Sequence, residues 1–471
     1  MANTPRLLLW TIALCLVSAA TISACAATRR VFHSSDAAHD RSDAVAQAID
    51  SGPARSVILL IGDGMGDSEI TIARNYQVGA AGRLALDTLP FTGEYTTYTL
   101  QETNPALPEY VADSAGAGTA WATGHKTSNN RVSVDAGSNR PLTTLLELSQ
   151  KKGLRTGNIT TAELTDATPA VLDAHVNHRS CEGPADMAKC PAFKKGAGGL
   201  GSIAEQTIDH HVDVLLGGGR SRFDQEIDGG PYAGLTVLQS ALAQNYRLVE
   251  DAARLADVQP GGKVLGLFAA GNMTAEWTGK PAQRYPGSGP QRCVEGNRPQ
   301  REPSLAAMTR KAIELLDRDD GSAGWMGTQP PGFFLQVEGS AIDKHDHVAD
   351  PCGQIGETVA FDAAVRVALD YAATHPDTLV IVTADHGHTS QIIPPPDHKD
   401  HSPGMFSTLI TADRANMTVN YATNLPDHMQ THTGTQIRIA AQGPQAANVL
   451  GVTDQTALFS LITRALDLDT H

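Results

Sequence analysis

Four apolar runs in this chain each lead into side chains fit to bind a metal ion, and that repetition limits the fold more than any other feature. Ser56 to Ile61 leads into Gly62-Asp63-Gly64-Met65-Gly66, and Thr156 to Thr160 into Thr161-Ala162-Glu163-Leu164-Thr165-Asp166-Ala167-Thr168. Phe333 to Val337 leads into Glu338-Gly339, and Leu379 to Thr383 into Ala384-Asp385-His386-Gly387-His388. The most continuous of these runs have the pattern of strands buried on both faces of a parallel sheet. Helical patterns over Leu142 to Lys152, Leu305 to Leu316 and Thr358 to Ala373 alternate with them. The expected fold is therefore α/β, a three-layer α/β/α sandwich around a large, mostly parallel central sheet. Ligands bind outside the carboxyl ends of such strands. Asp63, Glu338 and Asp385 are expected to meet on that rim.

Val212 to Gly219 and Gln436 to Ala441 are expected to add strands, while the Pro- and Gly-rich stretches 278–303 and 321–332 are expected to be surface loops. Residues 222–260 suggest no chemistry. The chain carries 36 Lys and Arg against 51 Asp and Glu, a net charge of -15, with no basic stripe. That balance argues against nucleic acid and anionic membranes as partners, and any attraction for an anion must be local.

Residues 1–26 read as a signal peptide: Arg6 precedes an apolar run from Leu7 to about Ile22, then small residues. Ala24-Cys25-Ala26 suits ordinary cleavage, Ile22-Ser23-Ala24-Cys25 is similar to a lipoprotein signal that would place a lipid on Cys25, and an uncleaved membrane anchor is the third option. Residues 27–53 read as a polar tether or N-terminal helix, and 54–471 as one catalytic domain. In an oxidising compartment Cys181, Cys190, Cys293 and Cys352 are expected to form two disulfides, with Cys181 to Cys190 and Cys293 to Cys352 favoured among three connectivities.

The candidate nucleophile is Ser114 in Asp113-Ser114-Ala115-Gly116-Ala117-Gly118-Thr119. Small residues after it leave the hydroxyl unscreened, and a helix starting there offers free N–H groups to an anion. A serine hydroxyl still needs a base or a metal ion to become reactive. Asp343 and His347 are four apart, so a helix presents both on one face, and Asp385 with His386 ends a strand. Mixed Asp and His ligands suit zinc; Glu338 with the Thr168 hydroxyl suits magnesium.

These motifs, together with His432-Thr433-Gly434, resemble the alkaline phosphatases of the bacterial exported type, from about Ile58 to the C-terminus. The resemblance implies hydrolysis of phosphate monoesters to alcohol and inorganic phosphate through a phosphoserine on Ser114, over a broad substrate range. It implies one zinc ion on Asp343, His347 and His432, a second on Asp63, Asp385 and His386, and a magnesium ion on Asp63, Thr168 and Glu338. Arg179 would clamp phosphate oxygens, a bidentate task suited to a guanidinium. Asp113, Asp166 and Lys344 would support these groups. The four cysteines fall where that family forms two disulfides, and a homodimer is implied. Gly116 and Gly118 depart from many relatives and are expected to loosen the helix start. His388 near the rim is a candidate supporting residue, whereas His398 and His401 are read as solvated-loop residues. A phosphodiesterase or sulfatase on the same metal scaffold, and an exported binding protein without turnover, are the rival readings.

Overall fold

A computed structural model describes residues 40–317, 331–397 and 402–470. Its centre is a ten-stranded sheet, and the four apolar runs are four neighbours in it. They stand in the order Thr378–Ala384, Ser56–Gly62, Phe333–Gly339, Arg155–Glu163, all parallel. Three of these strands are buried along their whole length, which is why their sequences show no alternation. Val214–Gly218, Lys263–Leu267 and Tyr246–Val249 continue the parallel set. On the other side Ile437–Gln442 runs antiparallel to both Thr378–Ala384 and Phe91–Thr96.

Register decides where the site lies. Gly62 pairs with both Gly339 and Ala384, and Glu338 pairs with Thr160. Asp63, Glu338 and Asp385 therefore emerge at one rim from three adjacent strands, as the sequence predicts.

Helices cover both faces. Leu305–Leu316 packs on Pro351–Thr374 in one layer, and Ser114–Thr123 packs on Ala167–Asp173 in the other. The Pro351–Thr374 helix starts seven residues before the predicted Thr358. Pro351 occupies its first turn and Asp350 caps it, accepting from the N–H groups of Cys352 and Gly353. Residues 42–48 form a short helix with no fully buried side chain, although Val45 and Ala48 pack against the core.

One loop expectation is corrected. Within 278–303, Ser288–Gln291 is a strand that joins Met405–Ile410, Asn416–Tyr421 and Ser390–Ile393 in a second, four-stranded sheet. Its sequence, Ser-Gly-Pro-Gln, carries no apolar pattern; Gly289 has φ +92°, and a Cβ there would lie 2.2 Å from the Thr408 carbonyl oxygen. The other loop, 321–332, lies outside the described residues apart from Pro331 and Gly332, as do Cys25, His398 and His401. Both disulfides are formed as favoured, Cys181 with Cys190 and Cys293 with Cys352. Among the described residues no helix is long and apolar enough to cross a membrane.

The Ser114–Thr123 helix also corrects the reading of its glycines. Every residue of it is buried. A Cβ on Gly118 would stand 2.9 Å from both methyl groups of Val171, and one on Gly116 would stand 2.5 Å from the Thr99 methyl. The glycines permit close packing rather than loosening the helix start. Gly118→Ala is therefore expected to destabilise the protein by about 1–3 kcal/mol through overpacking, despite alanine's better helix propensity. Val171→Ala in the same chain should recover most of that loss, because it removes the opposing methyls; thermal unfolding of the single and double variants measures both effects.

Candidate active site

Asp113, in extended conformation, caps the Ser114–Thr123 helix by accepting the Gly116 N–H at 2.9 Å. Because Asp113 does the capping, the Ser114 hydroxyl at the first helical position is spare. Its oxygen lies 3.3 Å from Nε2 of His386.

His386 belongs to a buried cluster with Asp63 and Asp385. One oxygen of Asp385 accepts the N–H groups of Gly64 and His386, both at 2.9 Å. The other lies 3.2 Å from the His386 Nε2, and Asp63 Oδ1 lies 3.5 Å from the same nitrogen. Neither free oxygen has a hydrogen-bond partner. Burial, and then the charges of Asp385, Asp343 and Glu338, push the Asp63 carboxyl well above the usual range. Such crowding of donor atoms without hydrogens between them is what a divalent cation relieves.

A second cluster is built from the Ala341–His347 helix and two loops. Asp343 Oδ1 lies 3.3 Å from His347 Nε2, 3.1 Å from His432 Nε2 and 3.1 Å from His388 Nε2. His347 Nδ1 lies 2.5 Å from the Gln430 carbonyl oxygen, and His432 Nδ1 lies 3.0 Å from that of Ala112. A carbonyl only accepts, so both rings carry hydrogen on Nδ1 and turn bare Nε2 lone pairs towards Asp343, 3.2 Å apart from each other. That tautomer is the one metal-ligating histidines adopt. His388 differs: its Nδ1 accepts the Thr389 N–H at 2.9 Å, so the proton of its neutral ring sits on Nε2, 3.1 Å from Asp343 Oδ1 but without a hydrogen-bond partner, and in this tautomer the ring offers no lone pair there.

Beside them, Glu338 is held by the Thr160 hydroxyl, and the buried Thr168 hydroxyl has no partner. Burial, and then the charge of Asp166, raise the Glu338 carboxyl to about 8. Thr168 lies in the first turn of the Ala167–Asp173 helix, whose cap is Asp166. Asp166 bridges two cations, with Arg179 at 2.6 Å and Lys344 at 2.6 Å. Burial opposes its charge, yet Lys344 and Arg179 hold the carboxyl well below the usual range. Arg179 also reaches Asp113 at 3.4 Å, which ties it to the serine's helix. Among the sequence-predicted site residues, Asp63, Asp385 and His386 form one cluster against Ser114, Asp343, His347 and His432 belong to a second, and Asp113, Arg179, Asp166 and Lys344 are joined by ion pairs. Gln336, which no sequence motif marks, donates to the Thr168 carbonyl and accepts from the indole N–H of Trp121, linking the sheet to both helices.

The alkaline phosphatase family profile matches residues 54–424 and 407–468. The chain belongs to the alkaline phosphatase family. An alkaline phosphatase of Escherichia coli is 49% identical over 438 residues, covering 91% of this chain and 89% of its own. Alkaline phosphatase H of Pseudomonas aeruginosa is 50% identical over 439 residues, covering 91% and 88%. Streptomycin-6-phosphate phosphatase of Streptomyces griseus is 54% identical over 418 residues, covering 88% and 91%. In fold, the chain is similar to alkaline phosphatase from the Antarctic bacterium TAB5, with a TM-score of 0.66 at 22% identity over 89% of this chain and 99% of that one. As an alkaline phosphatase the protein is a metal-dependent enzyme that hydrolyses phosphate monoesters.

Proposed function

We propose that this alkaline phosphatase works through a phosphoserine on Ser114, with two zinc ions and one magnesium ion per chain. Asp343, His347 and His432 would hold one zinc, Asp63, Asp385 and His386 the other, and Asp63, Thr168 and Glu338 the magnesium. The observation that carries this reading is the Ser114 oxygen 3.3 Å from Nε2 of His386, inside a cluster of donors lacking hydrogen-bond partners. Bound there, divalent ions lower the pKa of an attacking hydroxyl and neutralise charge on the leaving oxygen.

The chain's own residues do the rest. Ser114 gives its hydroxyl proton to solvent and Oγ attacks phosphorus; the Oγ–P bond forms as the ester P–O bond breaks, and the leaving oxygen takes a proton from water to depart as the alcohol. Water then cleaves the Oγ–P bond, returning the serine and inorganic phosphate. Arg179 presents two N–H donors to phosphoryl oxygens, aimed by Asp166 and Asp113. Lys344, paired to Asp166, adds a second fixed positive charge.

Recognition centred on the phosphoryl group leaves the alcohol unconstrained, so the substrate range is broad. At equal concentration, 4-nitrophenyl phosphate should turn over faster than its diester or sulfate ester counterparts. Faster turnover of either of the others would contradict the monoester assignment.

Residues 1–26 would direct export to the periplasm, with a lipid on Cys25 as the tethered alternative, and 54–471 would form one catalytic domain in a homodimer. The two disulfides favour an oxidising compartment.

A further inference from the structure

A separate cluster lies where three helical segments meet away from Ser114. Glu147 is the third residue of the Leu145–Lys151 helix, His175 follows the Ala167–Asp173 helix, and His210 caps the C-terminus of the Ile203–Asp209 helix. One oxygen of Glu147 is committed to the helix start, accepting the Thr144 N–H at 2.8 Å. The other, Oε1, lies 3.3 Å from Nε2 of His175 and 3.3 Å from Nε2 of His210.

The other ring nitrogens fix the chemistry. His175 Nδ1 lies 2.9 Å from the Ser133 carbonyl oxygen, and His210 Nδ1 lies 2.9 Å from that of Gln206. Both Nδ1 atoms must therefore carry hydrogen. In neutral rings this leaves two Nε2 lone pairs and a carboxylate oxygen facing one another, an arrangement that protonation of the rings or a bridging water relieves in part and that one cation binding all three atoms relieves in full. The three ligand atoms lie within 4.8 Å of one another. Carbonyl-anchored histidines with one carboxylate form a zinc-type donor set, in which a fourth position is left to water. His175 is buried, while the side chains of His210 and Glu147 are 20% and 29% exposed, so an ion has a way in. Asp173, one helix end away and bonded to Asn158 and Thr207, adds negative charge near both rings.

We propose that Glu147, His175 and His210 form an additional site for a zinc-class divalent ion, distinct from the Ser114 centre. The ion would tie the end of the Ala167–Asp173 helix to two neighbouring helices. Asp166 and Thr168 stand at the start of that helix, and Arg179 follows four residues after His175. The role inferred is structural.

The test is elemental analysis of the full enzyme after dialysis against buffered zinc, comparing the natural chain with His210→Ala and Glu147→Gln. The glutamine variant can keep the helix cap, since its amide oxygen still accepts the Thr144 N–H, so a folded variant is available if removal of His210 is not tolerated. The expected result is one zinc equivalent fewer in each variant, together with loss of a zinc-dependent rise in thermal midpoint seen in the natural chain. Equal zinc in all three proteins would overturn the proposal and assign the cluster to imidazolium–carboxylate pairs. Loss of every equivalent together would also overturn it, because the site would then not be separate.

Discussion

Ser114→Ala should reduce hydrolysis of 4-nitrophenyl phosphate by about 10³-fold or more, with little change in thermal midpoint. The loss follows from position. The hydroxyl is the oxygen that stands against His386 at the start of the buried helix, and the neighbouring Asp113 is committed to the cap and to Arg179. The stability expectation follows from the same geometry, since the Ser114 side chain's one hydrogen-bond contact is to His386, and alanine suits a helix at least as well. A variant that keeps more than about a tenth of the activity would mean that another nucleophile, such as water acting directly, carries the reaction.

Metal removal should have an effect of similar size. Asp63, Asp343, Asp385 and Glu338 are all buried; the first three each leave an oxygen without a hydrogen-bond partner, and Glu338 is held by the Thr160 hydroxyl. Nothing among the neighbouring side chains neutralises all four, because Lys344 and Arg179 are both engaged by Asp166. Exhaustive chelation is expected to abolish turnover to the same level as Ser114→Ala. It should also lower stability by about 2.7 kcal/mol for each ion normally held at a hundredfold excess over its Kd. Zinc and magnesium together should restore both. Full activity in protein shown by elemental analysis to be metal-free would remove the account of this site.

The site was legible in the sequence for a physical reason. Each central strand is an unbroken apolar run, so its end is easy to see, and the ligand follows directly. Parallel register then turned distant residues into neighbours: Gly62 pairs with both Gly339 and Ala384, which places Asp63 beside Glu338 and Asp385. Edges and packing were harder. Phe91–Thr96, with a half-exposed pattern, does not stand out as a strand, and Ser288–Gln291 is held by its partner strand rather than by its own composition. The role of Gly116 and Gly118 is not visible in the sequence because it depends on Thr99 and Val171, which only the fold brings near. The Glu147, His175 and His210 cluster shows the same limit. Its members come from three helix ends, separated by stretches with no shared spacing, so no local motif announces them.

The central claim is that the phosphoryl group passes through Ser114, and it is tested most directly by trapping the intermediate. The metal-loaded enzyme would be mixed with excess 4-nitrophenyl phosphate or inorganic phosphate, quenched in acid, digested, and the peptide containing Asp113 to Gly124 analysed by mass. The account expects that peptide to gain the mass of one phosphoryl group on Ser114, and the Ser114→Ala chain to gain none. Phosphate on a different residue, or no covalent phosphate in an enzyme that turns over under the same conditions, would contradict it.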